Sequence, residues 1–210
     1  MRKYTMEFIG TFFLVMTICF AVSTHSALAP LGIGAVLVAL VFAGGHISGA
    51  HYNPAVSVAA FVRGRLPAGE LLPYIAAQLV GAAAAAGVSR FVFGAGADVA
   101  FDVSGKKLVA AFLVELLVTF LLAFVVLNVA TSKDHPNNSF YGLAIGFTVL
   151  AGAVSVGAIS GGVFNPAVAL GASIAGLVSW TMLPVYIVAN VDGGALAAVA
   201  FRQLNPDDRA

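Results

Sequence analysis

The chain has 210 residues and a net charge of +1; 60% of its residues are apolar, 9% are charged, and the mean hydropathy is +1.01. Soluble domains carry about 25% charged residues, so this chain cannot cover a water-facing surface and reads as an integral membrane protein. The near-neutral charge gives no footing for a nucleic-acid partner, and the lone Cys19 leaves neither an intrachain disulfide nor a metal-ligand pattern.

Met1-Arg2-Lys3 leads into a first apolar span over residues 4–23. No small-residue cleavage site follows, so this span is expected to be retained. Residues 24–30 form a short loop, and a second span covers residues 31–45. A first Asn-Pro-Ala stretch follows, ending near Arg63-Gly64-Arg65-Leu66-Pro67. The third span covers residues 70–92; residues 82–86 are all Ala, which lets helices approach closely. Residues 93–107 are a polar loop with Asp98, Asp102, Lys106 and Lys107. A fourth span covers 108–130, a polar loop 131–139 and a fifth span 140–158. The second Asn-Pro-Ala stretch runs to about Gly176, a sixth span covers 180–201, and the tail 202–210 is polar.

Ile47-Ser48-Gly49-Ala50-His51-Tyr52-Asn53-Pro54-Ala55-Val56 and Ile159-Ser160-Gly161-Gly162-Val163-Phe164-Asn165-Pro166-Ala167-Val168 match at seven of ten positions, 112 residues apart. Asn caps helix starts well and Pro favours the first helical position, so each Asn should open a short helix. Ten helical residues from Pro54 span about 15 Å, half of a hydrocarbon core of about 30 Å. A single Asn-Pro is ordinarily just a cap. Two copies in matching context inside so apolar a chain point instead to a paired feature.

The spans repeat as well. Glu7-x-x-x-Thr11-Phe12-x-Leu14 recurs as Glu115-x-x-x-Thr119-Phe120-x-Leu122. Each half has three spans, so the second half enters from the opposite face. The expected fold is an all-α membrane protein with six transmembrane helices and two re-entrant half-helices. It forms a single channel domain over 1–210, with inverted repeats at about 1–92 and 108–201. Such halves place their site at the shared interface near mid-membrane. Arg2, Lys3, Arg63, Arg65, Lys133, Arg202 and Arg209 on one side, against Arg90, Lys106 and Lys107 on the other, put both termini in the cytoplasm.

Residues 44–53 and 157–165 are Gly- and Ser-rich and are expected as extended chain lining a path, with carbonyls offered to whatever passes. Asn53 and Asn165 should project amide donors into its middle, where two helix N-termini add roughly half an elementary charge each. That arrangement favours a neutral dipole with lone pairs, repels cations, and turns a passing water so that it cannot hand a proton on. Glu7 and Glu115 are intramembrane carboxylates, either a proton relay or acceptors for the unpaired N–H groups of the re-entrant stretches. Their repetition with the halves favours the second role. Asp192 is expected to be a buried hydrogen-bonded group or a pore feature. His51 is placed at the pore mouth on the cytoplasmic side and His46 in packing; His25 and His135 have no inferable role.

The paired Asn-Pro-Ala, the Ser48–Val56 run and the glutamates of the first and fourth spans resemble the aquaporin family, the major intrinsic proteins, over essentially the whole chain. The resemblance implies a homotetramer in the plasma membrane (the inner membrane in a bacterium) with one pore per subunit. Each pore passes water or small uncharged solutes, with no cofactor and no coupling ion. It also implies an outer constriction, which by spacing falls at Ile33, Ala153, Gly162 and Val168; a one-residue gap would move Ala153. Family members usually carry Arg where this chain has Val168. Water-selective members form a narrow ring of Phe, His and Arg, and glycerol-conducting members usually follow the Arg with Asp, where Ala169 stands here. A wider, more apolar constriction is therefore expected, open to ammonia, urea, hydrogen peroxide, glycerol or metalloid acids. The competing classes are an ion-coupled secondary transporter and a non-conducting scaffold on the same fold. An enzyme is disfavoured, because no nucleophile–base pair or metal-ligand cluster is present.

Overall fold

The computed structural model describes residues 1–94 and 100–208; Asp98, Arg209 and Ala210 lie outside the described residues. Eight helices follow in chain order: α1 (Arg2–Ser23), α2 (Ala29–Ser48), α3 (Pro54–Arg63), α4 (Ala68–Phe93), α5 (Gly105–Val126), α6 (Tyr141–Ser160), α7 (Pro166–Ala175) and α8 (Leu183–Leu204). The end of α5 widens into a π-helical turn over Leu127–Thr131. Six of these helices are long and apolar enough to cross a membrane, and α3 and α7 are the two short ones.

Three boundaries differ most from the expectation. Residues 44–48 and 157–160 are helical rather than extended, so α2 and α6 run on to Ser48 and Ser160. In α2 packing overrides the weak propensity of glycine: a Cβ on Gly44 would lie 1.8 Å from the Tyr52 hydroxyl, so the missing side chain makes room for that ring. The helices stop where Gly49 (φ 84°) and Gly161 (φ 89°) turn left-handed. The start of α8 is delayed to Leu183 because residues 177–179 are held beside Phe101: Phe101 N donates to Leu177 O at 2.9 Å and Ser179 N to Phe101 O at 3.0 Å.

Within each half the long helices pack tightly, α1 on α4 and α5 on α8. A Cβ on Gly81 would lie 2.6 Å from Phe8 O, and one on Gly193 2.5 Å from Leu116 O, so these are glycines by close approach. The short helices cross over: α3 packs chiefly on α8, and α7 on α4. Each half therefore places its re-entrant helix against the last helix of the other.

The end of α3 is anchored by charge. The Arg63 side chain is fully buried, its Nη2 donates to Asp208 Oδ1 at 2.6 Å, and its guanidinium lies 4.5 Å from the centre of the Phe201 ring. Asp208 Oδ2 accepts from Lys133 N at 2.9 Å, which ties the tail to the α5–α6 loop. Burial alone would raise the Asp208 carboxyl, but the Lys133 N–H and the Arg63 guanidinium outweigh it and hold the group below its ordinary value. Its contribution to stability is thus present above the ordinary carboxylate range and is lost as pH falls through its lowered value. Asp208→Ala strands Arg63 as a buried, uncompensated cation. It should cost about 3 kcal/mol or more, read as a fall in the midpoint of thermal unfolding.

Candidate functional site

The first re-entrant stretch folds around one carboxylate. Beyond Ser48 the backbone takes positive φ at Gly49, Ala50 (51°) and Tyr52 (48°), conformations that cost non-glycine residues about 1–3 kcal/mol each unless the surroundings impose them. Glu7, fully buried, imposes them. Its Oε1 accepts from Ser48 Oγ at 2.7 Å and His51 N at 3.0 Å, and its Oε2 from Tyr52 N at 2.7 Å and Gln78 Nε2 at 2.8 Å. Tyr74 Oη donates to Ser48 O at 2.9 Å.

The second stretch repeats every part. Glu115 is fully buried; its Oε1 accepts from Ser160 Oγ at 2.7 Å and Val163 N at 2.9 Å, and its Oε2 from Phe164 N at 2.7 Å and Asn190 Nδ2 at 3.0 Å. Tyr186 Oη donates to Ser160 O at 2.5 Å. Gly161, Gly162 and Phe164 (φ 51°) take the left-handed conformations. Four donors on each carboxylate fill its acceptor sites and leave no position for a relayed proton.

Asn53 and Asn165 cap α3 and α7. Asn53 Oδ1 accepts from Ala55 N at 2.9 Å, and Asn165 Oδ1 from Ala167 N at 2.9 Å and Val168 N at 3.4 Å. Pro54 and Pro166, at the first helical positions, and Ala55 and Ala167 after them are all buried. The amide nitrogens reach across: Asn53 Nδ2 donates to Phe164 O and Asn165 Nδ2 to Tyr52 O, both at 2.9 Å. One N–H of each amide and the carbonyls of Tyr52 and Phe164 are thus spent between the halves. Each amide keeps one further N–H. Carbonyls expected to face the path are in these two cases taken.

Both asparagines line one cavity of about 240 Å³, together with Ile33, Ala153, Gly162 and Val168. None of those four side chains carries a polar atom. A second, wider cavity of about 510 Å³ meets the first at His51, Val126 and Ile145 and is rimmed by Arg65, Glu70, Lys133 and His135. His51 sits between the two cavities, its Nδ1 3.1 Å from Ser57 Oγ.

Other side chains lie elsewhere than expected. Asp192 is not buried and makes no hydrogen bond among the described residues; it is exposed on the outer face of α8, because the helix turns Ala189, Asn190, Gly193 and Gly194 inward instead. His46 is exposed near the end of α2 rather than packed. Ser48, Ser160, Tyr74, Gln78, Tyr186 and Asn190 were not anticipated. The tyrosines and amides repeat at the same 112-residue offset: Tyr74-Ile75-x-Ala77-Gln78 recurs as Tyr186-Ile187-x-Ala189-Asn190.

A family model described as Major intrinsic protein matches residues 1–201. The chain belongs to the major intrinsic protein family. It is 40% identical to Glycerol uptake facilitator protein-like 6 of Lactiplantibacillus plantarum, over 99% of this chain and all of that one. It is 34% identical to Aquaporin NIP1-2 of Arabidopsis thaliana, over all of this chain and 76% of the relative. The aquaglyceroporin of Plasmodium falciparum shares its fold, with a TM-score of 0.80 at 22% identity, over 97% of this chain and 96% of that one. As a member of the family, the chain is a multi-pass membrane protein and a passive channel for water and small uncharged solutes.

Proposed function

We propose that the channel conducts glycerol-sized neutral solutes as well as water, through one path per chain that runs past His51, the Asn53–Asn165 pair and an apolar outer constriction. The observation that carries this reading is the wall made by Ile33, Ala153, Gly162 and Val168: four residues on one cavity, with no side-chain donor and no aromatic ring among them. Water finds no side-chain partner on that wall, whereas the carbon skeleton of a polyol needs none. The backbone carbonyls of Gly161 and Gly162 accept no hydrogen bond among the described residues and can take the hydroxyl or amide hydrogens of a solute. The printed name of the Lactiplantibacillus plantarum relative supports glycerol as the first solute to test; urea, ammonia, hydrogen peroxide and metalloid acids fit the same chemistry.

Exclusion of cations and protons rests on the two opposed helix starts and the spare N–H of each Asn amide, which hold a single water by its lone pairs. Glu7 and Glu115 act as scaffolds for this geometry. The whole chain forms one domain of two inverted repeats, with both termini in the cytoplasm, as the Lys and Arg distribution supports. In the plasma membrane the chains assemble as homotetramers, as the family resemblance suggests. The test is stopped-flow light scattering on proteoliposomes with water, glycerol and urea. Glycerol permeability should exceed that of protein-free vesicles by at least about tenfold, with no dependence on an ion gradient. Water conduction with glycerol at the protein-free level would overturn the reading.

A further inference from the structure

Asp192 is a carboxylate in an unexpected place. It is the tenth of the 22 residues of α8, about 14 Å from the start of the helix and 18 Å from its end. Its depth is fixed by its neighbours on the inner face. Asn190 bonds to Glu115, and a Cβ on Gly194 would lie 2.4 Å from Ala55 O, so both belong to the level where the Asn-Pro-Ala helices begin. Asp192 projects at that level from the opposite side of α8. It is exposed, flanked one turn away by Val188 and Leu196, themselves 50% and 49% exposed. Among the described residues no hydrogen bond or ion pair reaches it. An ionisable side chain at such depth is costly unless paired.

Neither hydrocarbon nor a second copy supplies the pair. Among the described residues, every Lys and Arg on a long helix lies within four residues of a helix end: Arg2, Lys3, Arg90, Lys106, Lys107 and Arg202. The described residues of an identical chain therefore present no cation at the depth of Asp192. We propose that the face of α8 centred on Asp192 docks a membrane-spanning helix of another protein that carries Lys or Arg near its middle. The carboxylate and the ammonium or guanidinium each remove the other's unpaired charge from the hydrocarbon, and Val188, Leu196 and Val199 supply the apolar contact around them. The proposal does not depend on which solute the channel conducts.

The test uses the full chain in phosphatidylcholine vesicles with a labelled leucine–alanine transmembrane peptide bearing one central Lys, and a matched peptide bearing Leu there. Trp180, the chain's single tryptophan, lies just before α8 and is the energy donor. The Lys peptide should associate about tenfold more strongly than the Leu peptide. Asp192→Asn and Asp192→Leu should reduce it to the Leu-peptide level while solute flux stays unchanged, which reports an intact fold. Equal association of the two peptides with the unaltered chain overturns the proposal without recourse to variants. So does a Lys preference that survives in Asp192→Asn. A change in oligomer size in Asp192→Leu without peptide would instead assign the face to a second copy, and would also overturn it.

Discussion

Val168→Arg should reduce glycerol and urea permeability by at least about tenfold, a rise of about 1.4 kcal/mol in the barrier, while water permeability falls by less than about threefold. Val168 lies in the first turn of α7, 4% exposed, its N–H 3.4 Å from Asn165 Oδ1. It shares its cavity with Ile33, Ala153 and Gly162. A guanidinium there replaces an apolar wall with a long side chain bearing five N–H donors, and the carbonyls of Gly161 and Gly162 are within its chemistry to orient it. Water can exchange hydrogen bonds with the new donors and is small enough to pass them. A three-carbon solute needs the cross-section that the valine leaves. The added charge also reinforces the positive end of α7, so cation leakage should not rise. Parallel shrinkage assays of both forms in proteoliposomes decide the matter. Unchanged glycerol flux would mean that the constriction is not at Val168, and equal loss of both fluxes would mean that the side chain only plugs the path.

Glu115→Gln should destabilise the protein strongly although it is nearly isosteric. The carboxylate accepts from Ser160 Oγ, Val163 N, Phe164 N and Asn190 Nδ2. Gln has one oxygen and one NH₂, so either orientation sets a donor against two donors. The Ser160 hydroxyl and the Asn190 amide can turn to accept from the NH₂, but the backbone N–H of Val163 or Phe164 cannot, and one buried donor left unsatisfied costs about 1–3 kcal/mol against a total stability of about 5–15 kcal/mol. Where the NH₂ takes the Oε2 position, the positive φ of Phe164 also loses the bond that imposes it. The midpoint of thermal unfolding in detergent should drop by about 5 °C or more, and the folded yield with it. Glu7→Gln should behave alike, because its partners are arranged in the same way. A Gln variant that is as stable as the unaltered protein but differs in proton permeability would restore the relay role that the hydrogen bonding disfavours.

The helical start at each Asn-Pro was legible because capping is local chemistry: Asn and Pro act within three residues of themselves, and α3 covers the ten residues expected of it. The six spans were legible because hydrocarbon demands apolar length. The support beneath the site was less so. Gln78 and Asn190 lie on the last long helix of each half, 71 and 75 residues from the glutamates they bond, and no local pattern marks such a pair. Only the repeat carries them. The length of α2 departs from the expectation because helix propensity disfavours Gly44, whereas its place is set by the Tyr52 ring packed against it. Asp192 departs from its expected place for a related reason. Polar residues in a span usually face inward, and the face of α8 is decided by Asn190 and the glycine pair after it.

The crossed amide bonds bear on how the protein is made. Tyr52 O and the Asn53 amide find their partners 113 and 111 residues later in the chain, at Asn165 and Phe164. At about 5–20 residues per second, a ribosome needs on the order of ten seconds to supply them. Through that interval the nascent first half waits in the translocon or the lipid with a backbone carbonyl and an amide unmatched, and with α3 lacking the helix it rests on. The conduit cannot close residue by residue as it emerges; it snaps shut only when the second half arrives.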